Sequence, residues 1–128
     1  MGGFSSERLI SLKSGGVVCR ALDKNKYNVY AVDIAREGWY YINELDERIA
    51  VDRNDFSVMI DGEKVRFDVV FNAIHGSPGE NGLMQAYFEL MGIPHTSCGH
   101  FESALTFNKR ECIAVARQCG IPTAPSVF

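Results

Sequence analysis

The sequence predicts an α/β fold with a mainly parallel sheet. Helix-like and strand-like segments alternate along the chain. Residues 69–74 are an apolar run, interrupted only by Asn72, which is typical of a strand covered on both faces. A glycine-rich loop follows this run and opens a helix. The 128 residues fit one domain by the prior of roughly 100–200 residues per domain, and 46% hydrophobic residues suffice for a core.

The first half of the chain predicts one helix followed by short β segments. Ser5 or Ser6 can cap the helix, and Gly15-Gly16 weaken it by about 1 kcal/mol each relative to alanine. Residues 27–34 form a predicted strand. Shorter β segments are predicted at residues 39–42, 48–52, 56–60 and 64–67. Asp61-Gly62 is a two-residue hairpin turn between the last two.

The second half predicts two helical segments. A helix over residues 82–91 ends at Gly92, since glycine favours the left-handed conformation that closes a helix. Residues 103–119 are largely helical, and Asn108 marks a break within them.

The ends of the chain predict that it is part of something larger. Residues 1–121 are predicted to form one domain, and residues 122–128, with two prolines, a linker toward an absent domain. The pair Gly2-Gly3 stands directly before a helix. Such a pair usually follows a strand, so a first strand is predicted to be missing.

Composition and charge argue against several functions. A net charge of −3 provides no basic surface for nucleic acid, and no apolar run reaches the ~18 residues of a membrane span. The N-terminus lacks the apolar region of a secretory signal. The four cysteines, His95 and His100 show no metal-ligand spacing, so no metal site is predicted. The cysteines are expected to be reduced thiols in the cytoplasm.

The loop of residues 75–82 is predicted to form part of a ligand site. Small molecules bind at the carboxyl ends of strands in open α/β sheets, and a helix N-terminus favours negative charge. His75 and Glu80 add titratable side chains that can bind or orient a substrate. The loop glycines permit positive φ or the close approach of a ligand, and they are Gly76, Gly79 and Gly82.

Each candidate residue also has a structural interpretation. Glu7 can be an acid that offsets the dipole of the first helix. A lone histidine at the end of a buried strand, such as His75, is more often structural than catalytic. Lys109 alone indicates a solvated surface lysine. The loop is not a P-loop, because the lysine of GxxxxGK[ST] is missing.

Three segments, in this order and spacing, resemble the N-terminal domain of D-alanine–D-alanine ligases, which are ATP-grasp enzymes of peptidoglycan synthesis. They are residues 2–7 (GGFSSE), residues 75–82 (HGSPGENG) followed by Gln85, and residues 92–94 (GIP) followed by SALTFNK at 103–109. The family's patterns are GG-x-S-x-E, HG-x-x-GE-[DN]-G-x-x-Q and S-A-x-x-x-[DN]-K. The resemblance covers nearly the whole chain. Asn81 and Asn108 stand where many members have aspartate.

The resemblance implies a three-layer, Rossmann-like (pre-ATP-grasp) domain and a reaction of the longer protein. That protein would join two D-alanines with ATP through an acyl phosphate. ATP and Mg²⁺ would be held by domains that follow Phe128. The chain alone is therefore expected to be inactive and to bind neither.

The resemblance also implies roles for individual residues. Glu7 would receive the ammonium group of the first D-alanine, and His75 and Gly76 would lie beside that substrate. Supporting roles in the loop would fall to Glu80, Gly79 and Gly82. Lys109 would face the nucleotide phosphates across a domain interface.

Two other interpretations stay open. One is a stand-alone module of α/β fold that binds a small molecule or dimerises and catalyses nothing. The other, a nucleotide-binding domain of another kind, is disfavoured because no GxGxxG follows a strand. A missing first strand would leave two strand edges unpaired, which predicts a homodimer or a swapped element.

Overall fold

A computed structural model describes residues 1–127, which form four helices and one five-stranded sheet. The helices are α1 (Arg8–Ala21), α2 (Leu83–Met91), α3 (His100–Phe107) and α4 (Lys109–Gln118). The strands are β1 (Ala31–Ile34), β2 (Trp39–Ile42), β3 (Arg48–Asp52), β4 (Ser57–Ile60) and β5 (Glu63–Arg66). The predicted α/β class is confirmed. Phe128, the last residue of the predicted linker, lies outside the described residues.

The sheet is an antiparallel meander, with its strands in chain order from β1 to β5. Short turns join consecutive strands, and a tight turn can only connect antiparallel neighbours. At the β4–β5 turn, Asp61 and Gly62 have φ values of 51° and 83°, as the predicted hairpin requires. The prediction of a mainly parallel sheet is not confirmed, because every pairing within this sheet is antiparallel.

Parallel neighbours occur only as two isolated bridges in the described part of the chain. They join Gly2 with Ile34 and Val70 with His95. The N–H of Val70 donates to the Pro94 oxygen at 2.8 Å, and its carbonyl accepts from the Thr96 N–H at 3.1 Å. Residues 69–74, predicted as a buried strand, therefore form an extended segment with one bridge rather than a ladder strand.

Helix α1 buries small and polar residues instead of large apolar ones. It runs through Gly15-Gly16 without a break, and the side chain of Met1 packs where a side chain at Gly15 would stand. Its buried residues are Ser11 and Gly15. Its exposed apolar residues are Leu9, Ile10 and Val17. The inner face of α1 is thus adapted to polar backbone groups that lie beneath it.

The apolar core lies between the sheet and α2. Its fully buried members are Ile34, Val51, Phe56, Val58, Ile74, Met84 and Phe88. The Phe56 ring lies 5.2 Å from the rings of Phe67 and Phe88, and the Trp39 ring lies 5.0 Å from that of Tyr87. These rings meet edge to face or nearly so, which adds to the stabilisation from burial.

The helix ends follow the local sequence. Gly92 closes α2 in the left-handed conformation with φ 68°, as predicted. Asn108 separates α3 from α4 and caps α4, because its side-chain oxygen accepts from the Glu111 N–H at 3.4 Å. Within residues 1–127, none of the helices has the length and apolar character that a membrane crossing requires.

Candidate functional site

The loop of residues 75–82 joins the extended segment 69–74 to α2, as the sequence predicts. Glu80 closes this loop on itself, since its Oε2 accepts from the Gly76 N–H at 2.9 Å. The carbonyl of Gly76 in turn accepts from the N–H groups of Gly79 and Glu80, both at 2.9 Å. Gly76 has a φ of 69°, where a side chain would be strained. The loop is thus a compact turn with a carboxylate built into it.

Glu7 lies against this loop from the start of α1. A methyl group at Gly76 would stand 2.9 Å from the Glu7 Oε2 and 2.6 Å from the Ser5 Oγ. The Ser5 hydroxyl donates to the His75 carbonyl at 3.0 Å, which ties the two segments together. The Glu7 carboxylate is exposed and has no hydrogen bond to another side chain among residues 1–127. It is therefore free to bind a cation beside the loop.

His75 lies half-buried under α1. Its ring Nε2 is 3.0 Å from the hydroxyl oxygen of Ser14, in the middle of the helix. Glu7, His75 and Gly76, predicted separately from the sequence, are thus brought together where α1 and the loop meet. Ser14 was not predicted, although a serine in the interior of a helix is a recognisable departure from helix-forming residues.

A cavity of about 480 Å³, open to solvent, borders the loop; its volume lies within the usual range of roughly 300–1,000 Å³ for small-molecule sites. His75 and Glu80 line it together with Lys109, the first residue of α4. The Lys109 ammonium donates to the Thr106 carbonyl at 3.2 Å and is otherwise exposed. The cavity therefore combines a carboxylate, an imidazole and an ammonium group.

Asn72 and Gln85 line this cavity and both bond the loop backbone. The Asn72 amide donates to the Gly79 carbonyl at 2.8 Å and to the Ser97 hydroxyl at 2.9 Å. The buried Gln85 amide also donates to the Gly79 carbonyl. Asn72 was not predicted as part of the site, but an amide inside an otherwise apolar run such as residues 69–74 indicates a polar partner.

Gly82 has a conformation and a close backbone neighbour that only glycine accommodates. Its φ is 90°, and a methyl group there would lie 2.5 Å from the His100 carbonyl oxygen. The glycine lets α2 begin close against α3. The loop is thereby clamped between α1 on one side and α3 on the other.

The terminal ammonium of Met1, next to Gly2-Gly3, is partly buried. It donates to the Val32 carbonyl at 2.9 Å. Burial lowers its pKa from 8.0 to about 6, and the nearby Asp33 carboxylate offsets only part of this effect. Within residues 1–127, no three or more His, Cys, Asp or Glu side chains are grouped so as to hold a metal ion.

Comparison with known proteins gives a consistent result. A family model described as the D-ala D-ala ligase N-terminus matches residues 1–98. A D-alanine–D-alanine ligase of Flavobacterium johnsoniae is 57% identical over 128 residues, covering 100% of this chain and 40% of the relative. One of Christiangramia forsetii is 48% identical, covering 100% and 39%.

A solved structure shares the fold. The D-alanyl-alanine synthetase A of Vibrio cholerae matches with a TM-score of 0.83 and 35% identity, covering 97% of this chain and 37% of that one. The chain thus spans about 40% of the length of the curated relatives that it matches.

Proposed function

Because the chain belongs to the D-alanine–D-alanine ligase family, whose N-terminal model matches residues 1–98, we propose that it supplies the subsite for the first D-alanine. The longer protein would join two D-alanines with ATP through an acyl phosphate, for peptidoglycan synthesis. The observation that carries the proposal is the exposed Glu7 carboxylate, which lies against Gly76 and close to the histidine of the same loop.

The chemistry of these groups suits a zwitterionic amino acid. The Glu7 carboxylate offers a charge partner to an ammonium group and has no competing side-chain bond in the described residues. His75 offers a ring nitrogen to the substrate carboxylate and orients it. Glu80, Gly79 and Gly82 keep the loop in shape. The contribution of this chain is positioning, which can account for a large part of a reaction barrier.

ATP and Mg²⁺ belong to the same proposal, as a cosubstrate and its metal. Lys109 lines the cavity, and its ammonium is suited to a phosphate group. Among the described residues, no cluster of carboxylate side chains could hold Mg²⁺, so no step through the metal is assigned to this chain. We propose that residues 1–121 are the ligase N-terminal domain. Residues 122–128 would lead toward the region that holds nucleotide and metal in the longer relatives.

The three-layer arrangement with a parallel sheet is also part of the proposal. It is supported by the parallel bridges of Gly2 with Ile34 and of Val70 with His95. Amide hydrogen exchange tests the arrangement: the Val70 N–H should be protected to a similar degree as amides of β3 and β4, and rapid exchange there would contradict it.

We also propose a homodimer in the cytoplasm. Val69 and Phe71 are 54% and 53% exposed, and Phe71 has no backbone hydrogen bond among the described residues. Such an edge can pair with another chain. For the cytoplasm, the support is that the cysteines are free thiols, the form that a reducing compartment maintains. Light scattering after size exclusion should give twice the mass of 14.2 kDa, and a monomer at all concentrations would contradict the dimer.

The binding proposal is tested by titrating the 128-residue chain with D-alanine and recording amide NMR spectra. Shifts should concentrate at Glu7, His75 and Gly76, and L-alanine should produce smaller ones. Glu7→Gln should remove the response, since the carboxamide carries no charge for the ammonium. Glu63→Gln, on exposed β5, is the matched control and should respond like the unchanged chain. Shifts centred elsewhere, or an unaltered response in Glu7→Gln, would contradict the subsite.

The expected inactivity of the chain alone is tested separately. ATP and D-alanine are incubated with the purified protein, and D-alanyl-D-alanine is sought by mass spectrometry. Formation of the dipeptide above the protein-free background would contradict the expectation.

A further inference from the structure

The contact between Ser14 and His75 is not explained by packing. The serine hydroxyl oxygen lies 3.0 Å from the ring Nε2, and no other hydrogen bond of either side chain occurs among residues 1–127. Ser14 stands in the interior of α1, where serine is a poorer helix former than alanine. The contact with the imidazole is a chemical reason for a serine at this position of the helix.

The face of α1 that carries Ser14 is built to hold the segment leading to His75. Ser11 lies one turn earlier on the same face. Its hydroxyl donates to the Ala73 carbonyl at 2.7 Å and accepts from the Gly2 N–H at 2.8 Å. Ser11 therefore fixes the backbone two residues before the histidine, and Ser14 fixes the ring itself. One helix face sets both the position and the orientation of the imidazole.

The Ser14 hydroxyl could donate either to a carbonyl of its own helix or to the ring of His75. Serine in a helix usually donates to the carbonyl four residues earlier, which here is that of Ile10. No such bond is present in the described residues, and the hydroxyl oxygen lies 3.0 Å from the ring Nε2 instead. We infer that Ser14 is a positioning residue that donates to Nε2 and holds neutral His75 with its proton on Nδ1.

The tautomer decides what the ring offers to a ligand. With Nε2 occupied by Ser14, Nδ1–H is left as a neutral donor. A neutral donor can bond a carboxylate oxygen without repelling the ammonium group that Glu7 would receive. This consequence rests on the proposed function, whereas the hydrogen bond and the tautomer do not depend on any ligand.

The test is nitrogen-15 NMR of the imidazole in the ligand-free 128-residue chain, because the shifts of the two ring nitrogens distinguish the tautomers. The unchanged chain should show the protonated nitrogen at Nδ1. Ser14→Ala should shift the ring to a population dominated by Nε2–H, the tautomer that histidine prefers in water. Ser14→Thr keeps the hydroxyl and should retain the Nδ1–H form. Ser6→Ala, at an exposed serine without a side-chain bond in the described residues, is the matched control.

Two results would overturn the inference. One is an Nε2–H tautomer in the unchanged chain, a measurement that needs no variant to fold. The other is a folded Ser14→Ala protein whose His75 tautomer is unchanged. A D-alanine titration is run in parallel: an unresponsive chain that keeps the Nδ1–H tautomer contradicts the proposed function but supports the role of Ser14.

Discussion

The five-stranded sheet and the candidate site are held together by different kinds of interaction. The sheet is a continuous antiparallel ladder, and its inner face packs on a cluster of aromatic rings around Phe56. The site has two isolated bridges and depends on polar side chains that bond backbone carbonyls. These side chains are Ser5, Ser11, Asn72 and Gln85.

The two kinds of interaction have different effects: one stabilises the domain, and the other positions individual atoms of the site. Apolar burial is non-directional and roughly proportional to area, so the sheet can stabilise the domain without fixing any one atom closely. A side-chain hydrogen bond contributes less overall but fixes an atom to within a few tenths of an ångström. We expect changes in the sheet to lower the global free energy of unfolding and changes around the loop to act locally.

Removing the ring of Phe56 should have the largest effect. Phe56→Ala empties the centre of the aromatic cluster, where the side chain is 3% exposed, and should lower the free energy of unfolding by about 3–5 kcal/mol. Urea denaturation measures it. Phe101→Ala removes the same ring from a position 65% exposed on α3 and should change stability by less than about 0.5 kcal/mol. Equal losses in the two variants would contradict the assignment of the core.

The partly buried Met1 ammonium should make the stability of the 128-residue chain depend on pH. Its folded-state pKa is lowered from 8.0 to about 6, so the unfolded chain binds more protons between these values. Stability should therefore rise with pH through this window and be lowest below it. The rise from this group is about 3 kcal/mol. Urea midpoints at a series of pH values measure it, on protein shown by mass spectrometry to retain Met1.

Acetylation of the same amine provides the control. The acetylated chain carries no terminal charge, yet its amide N–H can still donate to the Val32 carbonyl. It should lose the part of the pH dependence that Met1 causes, while any contribution from the three histidines remains in both proteins. Identical pH profiles for the two forms would show that the ammonium is solvated.

Sequence reasoning succeeded where the determinant is local. The Asp61-Gly62 turn, the end of α2 at Gly92 and the break at Asn108 each depend on the conformational preference of one or two residues, and all three are confirmed. The neighbourhood of Glu7, His75 and Gly76 followed from the motifs of the family. Those motifs give spacing along the chain, which suffices when the residues occupy adjacent loops.

Sequence reasoning failed where partners lie far apart in the chain. An apolar run such as residues 69–74 is typical of a strand, but only a neighbour on each side makes it one, and here one bridge forms. Ser14 was overlooked for the same reason, since its partner lies 61 residues away. Asn72 was overlooked although Gly79 lies only 7 residues away and Ser97 lies 25 away, because a polar residue in an apolar run does not identify the group that it will bond.

Loss of the Asn72 side chain should give the smallest and most local effect. Asn72→Ala leaves the Ile74 N–H without its side-chain acceptor and removes one of two donors to the Gly79 carbonyl, at a cost of about 1–3 kcal/mol. Amide hydrogen exchange should accelerate at Gly76 and Gly79 while amides of β3 and β4 stay protected.

Asn25→Ala is the matched control for this change, because the exposed Asn25 side chain makes no hydrogen bond in the described residues. It should leave exchange in both regions unaltered. If Asn72→Ala instead accelerates the sheet amides as much as those of the loop, the loop and the sheet open together. The site would then unfold in one cooperative unit with the aromatic core. The sheet and the site would not differ in the way proposed above, with one stabilising the domain and the other opening locally.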